Sequence, residues 1–191
     1  SLDYSDGLLV LTLPRYGLSR APEFDLESVS EPALYVLPKW SGFADPENPS
    51  WQKDTDLMDR RSVAAIAQAF DSDIKVWRLR NPGRVPTPFG TQRPKFEQQM
   101  QVLDSDSLES LIDTPGGTLL AKVPGRDVYI LSDPDLVNTF GLARPENARM
   151  ALGLIERLYG PAEAERIATR TEYDWKRDPA WDPFAKIHGL V

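Results

Sequence analysis

Residues 128–158, VYILSDPDLVNTFGLARPENARMALGLIERL, switch hydrophobic period once, and that switch sets the class of the protein. Val128, Tyr129, Ile130 and Leu131 form a continuous apolar run, the pattern of a strand buried on both faces. Ser132-Asp133-Pro134-Asp135 ends the run with turn chemistry, because proline fixes φ and aspartate bonds its own backbone. From Asn147 a helical period takes over, with Ala151, Leu154, Ile155 and Leu158 on one apolar stripe. Strand, polar loop and helix in that order are the repeating unit of an α/β sheet, whose sites lie at the carboxyl ends of its strands.

Moving upstream, TLLAKV (residues 118–123), PGRD (124–127) and the run from Val128 read as a β-hairpin. It is expected to set an antiparallel strand at the edge of an otherwise mostly parallel sheet. Two further apolar runs, 8–13 and 33–37, end in Pro14-Arg15 and Pro38-Lys39. In parallel strands those two cations stand on the same edge, with Trp40 beside them. Between these landmarks the spacing of Val63, Ile66, Ala67 and Phe70 predicts a helix with its N-cap at Asp54-Thr55. Residues 74–79 and 95–103 read as strands, 81–94 with four prolines as an irregular excursion, 107–112 as a capped helical turn, and 41–54 as a long loop carrying Phe43 and Trp51. The chain is expected to be one α/β domain over 1–191, its core within 7–159, with 160–191 packing on it through Tyr173, Trp175, Trp181 and Phe184. A central strand arrives at Gly7 with no helix before it, so further sequence is expected upstream of Ser1.

The net charge of −7 provides no overall basic field, so nucleic acid is not an expected partner. No window approaches the roughly 18 uninterrupted apolar residues of a membrane helix, and the first residues lack the layout of a signal peptide. There is no cysteine, which removes disulfides, thiolate nucleophiles and thiolate metal sites; the single histidine, His188, removes any multi-histidine centre. No residue pattern calls for a cofactor.

Arg15, Lys39, Trp40, Asp133, Asp135 and Asn138 are the candidates gathered at one sheet edge. Carboxylates and cations together there suit a small polar ligand, or a hard cation such as magnesium held by Asp133 and Asp135. The competing and stronger reading makes the aspartates turn and cap residues paired with the cations, and makes Asn138 and Asn147 helix caps. Ser132 lacks the flanking glycines of a nucleophile elbow, and a triad would have to draw on the distant His188. Pro115-Gly116-Gly117-Thr118 precedes a strand and lacks the phosphate-loop lysine, so it reads as a turn. Trp40, Phe43 and Trp51 suit stacking on a sugar or a partner surface, against the alternative of a loop folded on its own side chains.

LLVLTLPR, ALYVLPKW and GRDVYILSDPDLVNTFGLARPENARMALGLIERL, with Asp133-Pro134-Asp135, Asn138, Gly141-Leu142 and Asn147-Ala148, resemble the bacterial family known as domain of unknown function 4350 over residues 7–158. The resemblance implies a three-layer, flavodoxin-like sandwich similar to class I glutamine amidotransferases and ThuA-like sugar-binding proteins. It also implies a module of the cell envelope, membrane-anchored through segments outside 1–191 and extracytoplasmic, encoded beside MoxR-type AAA ATPases. Those amidotransferases use a Cys-His pair, and without cysteine that chemistry is excluded here. The expectation is therefore a non-catalytic binding or scaffolding module for a small polar ligand, a carbohydrate or a protein partner such as a MoxR-type ATPase system. The alternative is a metal-assisted hydrolase using Asp133 and Asp135.

Overall fold

The computed structural model describes residues 9–12, 31–44, 46 and 52–159. Arg15, the acidic stretch 23–27, Trp51 and the tail with Tyr173, Trp175, Trp181, Phe184 and His188 lie outside the described residues. The elements in chain order are β1 (Leu9–Thr12), β2 (Ala33–Val36), β3 (Trp40–Ala44), β4 (Gln52–Leu57), α1 (Arg60–Ala67), β5 (Lys75–Leu79), β6 (Met100–Asp104), β7 (Glu109–Thr114), β8 (Gly117–Lys122), β9 (Val128–Leu131), a 3-10 turn at Pro134–Leu136, α2 (Thr139–Leu142) and α3 (Pro145–Tyr159).

The main sheet runs β1-β2-β9-β8-β6-β5, with β7 also paired to β8. β1, β2 and β9 are parallel, in the register Leu9↔Ala33 and Ala33↔Val128. Every other pairing in this sheet is antiparallel. The sheet is therefore mixed, and the expectation of a mostly parallel one is corrected. The predicted hairpin is present as β8 and β9, but β8 lies inside the sheet and not at its edge. The reason lies in its own sequence: Leu119, Leu120 and Ala121 are all buried, which requires cover on both faces and neighbours on both sides.

The strand period of two sorts the core into two layers. Leu34, Val36 and Leu131 face α3, whose Met150, Ala151 and Leu154 close that side together with Val85 from the excursion and Phe96 just after it. Ala33, Tyr35, Leu37, Val128 and Ile130 face α1, with Val63, Ile66 and Ala67 above them. Phe70, just past α1, meets Tyr35 edge-on with centroids 4.8 Å apart.

Four local expectations change. The N-cap of α1 is Asp59, whose Oδ2 accepts from Ser62 N at 3.1 Å, so the helix starts after the predicted Asp54-Thr55. α3 starts at Pro145, before Asn147, because proline suits the first helical position, where no N–H is needed. Residues 107–112 are not helical: β7 occupies Glu109–Thr114, with Ile112 and Thr114 inward at period two, and Asp73 ties down the preceding turn by accepting from Ser105 Oγ, Asp106 N and Ser107 Oγ. Finally, the 41–54 loop gives way to a separate two-stranded sheet, β3 against β4, with Trp40 opposite Leu57. The sequence of β4, QKDTDL, has no apolar alternation, so pairing of its backbone holds it and no core-facing stripe announces it.

Candidate functional site

β2 and β9 are parallel neighbours, so the residues just past their ends come together. Pro38 and Lys39 follow β2; Ser132 and Asp133 follow β9. Leu37 N donates to Leu131 O at 3.0 Å and extends the pairing to that point. Lys39 Nζ then lies 3.0 Å from Asp133 Oδ2 and 2.6 Å from Asp135 Oδ2, with all three side chains at 0% exposure. The ammonium sits 5.2 Å from the Trp40 ring centroid and 5.8 Å from that of Phe96.

Both carboxylates are fully committed. Asp133 Oδ1 accepts from Asp135 N at 2.9 Å and from Lys39 Nζ at 3.3 Å. Its Oδ2 accepts from Gln101 N at 2.7 Å and from the same ammonium. Asp135 Oδ1 accepts from Trp40 Nε1 at 2.6 Å and Asn138 Nδ2 at 3.0 Å, while Oδ2 accepts from Lys39 Nζ and from Glu97 N at 2.8 Å. Each oxygen thus receives two donors, the usual capacity of a carboxylate oxygen. Burial pushes the Asp133 carboxyl up to about 6, against the pull of Lys39 and the two backbone amides and with the help of Asp135.

The geometry brings together Lys39, Trp40, Asp133, Asp135 and Asn138; Arg15 lies outside the described residues. The cap reading of the turn residues is also visible. Asp133 caps the 3-10 turn through Asp135 N, and Asn138 Oδ1 accepts from Gly141 N at 2.6 Å at the start of α2. Ser132 is buried, and its hydroxyl is directed at Gln101 O (2.7 Å) and Leu119 O (3.0 Å), so its proton is engaged with main-chain carbonyls. Phe43 is in β3, not in a loop. Pro115 and Gly116 form the turn between β7 and β8, as their sequence implies, and Gly117, with φ at +142°, opens β8.

Two members escape a reading by residue type. Gln101 sits in β6 between Met100 and Val102, and its Nε2 donates to Pro38 O at 3.0 Å and Ser132 O at 2.7 Å. It joins the ends of β2 and β9 to the antiparallel half of the sheet. Asn147, read as a cap, accepts from Lys95 N at 2.7 Å and donates to Lys95 O and Asp135 O at 2.8 Å each. Its amide acts as a one-residue strand partner for Lys95. The signal for Gln101 was a polar residue in MQVL, an otherwise apolar strand: a buried amide has to find partners.

Chemically, this is a saturated ionic plug. One ammonium serves two carboxylates, and together with the two amide side chains they satisfy backbone groups from four chain segments. A metal ion at Asp133 and Asp135 would have to displace Lys39 and several hydrogen bonds. Among the described residues no group of three or more His, Asp or Glu side chains is placed to hold a metal ion, and no helix is long and apolar enough to cross a membrane. A surface groove of about 840 Å³, bordered by Arg84, Thr87, Thr91, Leu111 and Asp113, shares no residue with the plug. Comparison of the chain with protein families, with curated proteins and with solved structures returns no match.

Proposed function

We propose that the domain is a non-catalytic binding or scaffolding module. The observation that carries this reading is the saturation of Asp133 and Asp135: every carboxylate oxygen holds two donors, and Lys39 occupies the position a substrate or cation would need. Groups that act on substrates need free valence and access. These have neither, and they hold the parallel and antiparallel halves of the sheet in register. The working surface then lies around the plug, on the β3-β4 hairpin and the strand-end loops, and takes a small polar ligand, a carbohydrate or a protein partner. The resemblance to the domain of unknown function 4350 family adds the setting: an envelope assembly, membrane-anchored through segments outside 1–191 and served by a MoxR-type ATPase. Helices on both faces and the parallel triplet β1-β2-β9 are in keeping with the amidotransferase-like sandwich that this resemblance implies.

The test is thermal unfolding of the chain with magnesium, manganese, calcium and a sugar panel, alongside hydrolysis of chromogenic phosphate and acyl esters. The expected result is no cation-dependent rise in midpoint and no turnover. A magnesium- or manganese-dependent shift that disappears in both Asp133→Asn and Asp135→Asn, with turnover lost in parallel, would replace this reading by the metal-assisted hydrolase.

A further inference from the structure

Among the described residues the outermost strand β5 has no partner on its outer side, and its charge is opposite to that of the rest of the chain. β5 ends the strand order, and its five residues pair with β6 in unbroken register from Lys75↔Asp104 to Leu79↔Met100. Among the described residues no backbone group hydrogen-bonds to its outer side. The other single-sided strand nearby, β7, is different: it carries two register shifts and the acidic residues Glu109 and Asp113, both devices that discourage further pairing.

Residues 60–95 contain eight lysines and arginines against two aspartates, a net +6, which leaves −13 on the remainder of a chain whose total is −7. Arg60, Arg61, Lys75 and Arg80 are exposed, and among the described residues none of them forms an ion pair. Trp77, at 42% exposure one of the two most exposed large apolar side chains among the described residues, lies in the middle of β5 with the Arg60 guanidinium 5.3 Å from its ring centroid. Positive side chains on an edge strand normally prevent self-association. Here the same charges set like against like if two copies meet edge to edge, and they leave an acidic strand as the complementary occupant.

We propose that the outer edge of β5 binds an extended acidic segment of a protein partner as an added strand, with Trp77 as the apolar anchor and Arg60, Arg61, Lys75 and Arg80 pairing its carboxylates. Main-chain hydrogen bonds along the edge supply affinity, and the flanking charges supply selection. The proposal goes beyond the binding-module reading: it adds a second surface, the outer edge of β5, and names the chemistry of the partner that edge takes.

Its test uses the whole 191-residue chain and a labelled synthetic peptide of about ten residues alternating glutamate and valine, followed by fluorescence anisotropy and by amide hydrogen exchange over 75–79. Controls are the same peptide with glutamine for glutamate and a single-stranded oligonucleotide of similar charge. The expected result is binding at least about tenfold tighter than that of the glutamine peptide, weakened by salt, with slower exchange in β5. Arg61→Glu with Arg80→Glu is expected to abolish it while leaving the unfolding midpoint unchanged, since neither side chain faces a carboxylate across the β5-β6 ladder. Equal binding of the glutamine peptide, no effect of charge reversal, equal competition by the oligonucleotide, or a dimer that the peptide does not dissociate each overturns the proposal. Failure to bind leaves the binding-module reading standing, because that rests on the buried plug. Cleavage of the bound peptide would instead sink the binding-module reading and leave the docking edge intact.

Discussion

Replacing Lys39 with methionine keeps the length and volume of the side chain and removes its charge, so it isolates what the ammonium does for Asp133 and Asp135. In the native chain that ammonium lies 3.0 and 2.6 Å from the two carboxylates, and all three side chains are shut off from solvent. Removing one partner of a buried pair costs about 3–5 kcal/mol, because the stranded charge keeps its desolvation penalty. Two carboxylates are stranded here, which puts the expected loss at the upper end of that range. Urea unfolding followed by tryptophan fluorescence reads it directly: at an m-value of about 2 kcal/mol per molar, the midpoint falls by about 2 M. The loss also has a pH signature. Without Lys39 the Asp133 carboxyl moves further above about 6 and takes up a proton near neutrality, so the variant suffers less at pH 5 than at pH 8. In an Asp133→Asn background Lys39→Met is expected to cost less, since only one carboxylate is left stranded. A loss below about 1 kcal/mol at pH 8, the range of a solvated pair, would refute the argument that this cluster is a buried structural plug.

Three further outcomes follow from the same geometry. Since burial raises Asp133 from 3.8 to about 6, its contribution to stability is complete below about pH 4 and is lost as pH rises through about 6. Wild type measured against Asp133→Asn should therefore lose stability between pH 4 and pH 7, and a difference that rises with pH counts against the assignment. Asn147→Ala leaves Lys95 N, Lys95 O and Asp135 O without their partner and is expected to cost about 1–3 kcal/mol in chemical denaturation; a neutral result would mean that the amide is not the bridge described. Gly141→Ala would drive a methyl into the Asp135 carbonyl, a backbone atom that cannot rotate aside, so a marked drop in thermal midpoint is expected, whereas Gly125→Ala, with open space around its Cβ, should show only the modest strain of its positive φ.

Much of the site was written in residue type and order. A parallel pair of buried strands ending in Pro38-Lys39 and Ser132-Asp133 has to bring an ammonium and a carboxylate to one edge, and Asp133-Pro134-Asp135 has to turn there. The contributions of Gln101 and Asn147 were not legible, because the carbonyls they meet belong to strands and loops up to 63 residues away. β4 was hidden for a related reason: QKDTDL is polar throughout, and its strand conformation comes from pairing with β3. Residues 107–112 misled in the opposite way, since Ser107 looks like a helix cap until Asp73 is seen to hold it in a turn.

By itself the sequence determined the α/β class, the burial of strands such as β2 and β9 through their continuous apolar runs, the absence of thiol and multi-histidine chemistry, and the meeting of Lys39 with Asp133. These are consequences of local periodicity and composition, which act over a few residues. Only the tertiary structure decided that β8 is interior, that the sheet is mixed, and that the charged cluster is sealed and saturated. Strand order and the count of donors around a carboxylate depend on which distant segments pack together, and that follows from burying the whole apolar surface at once, not from any one segment's pattern.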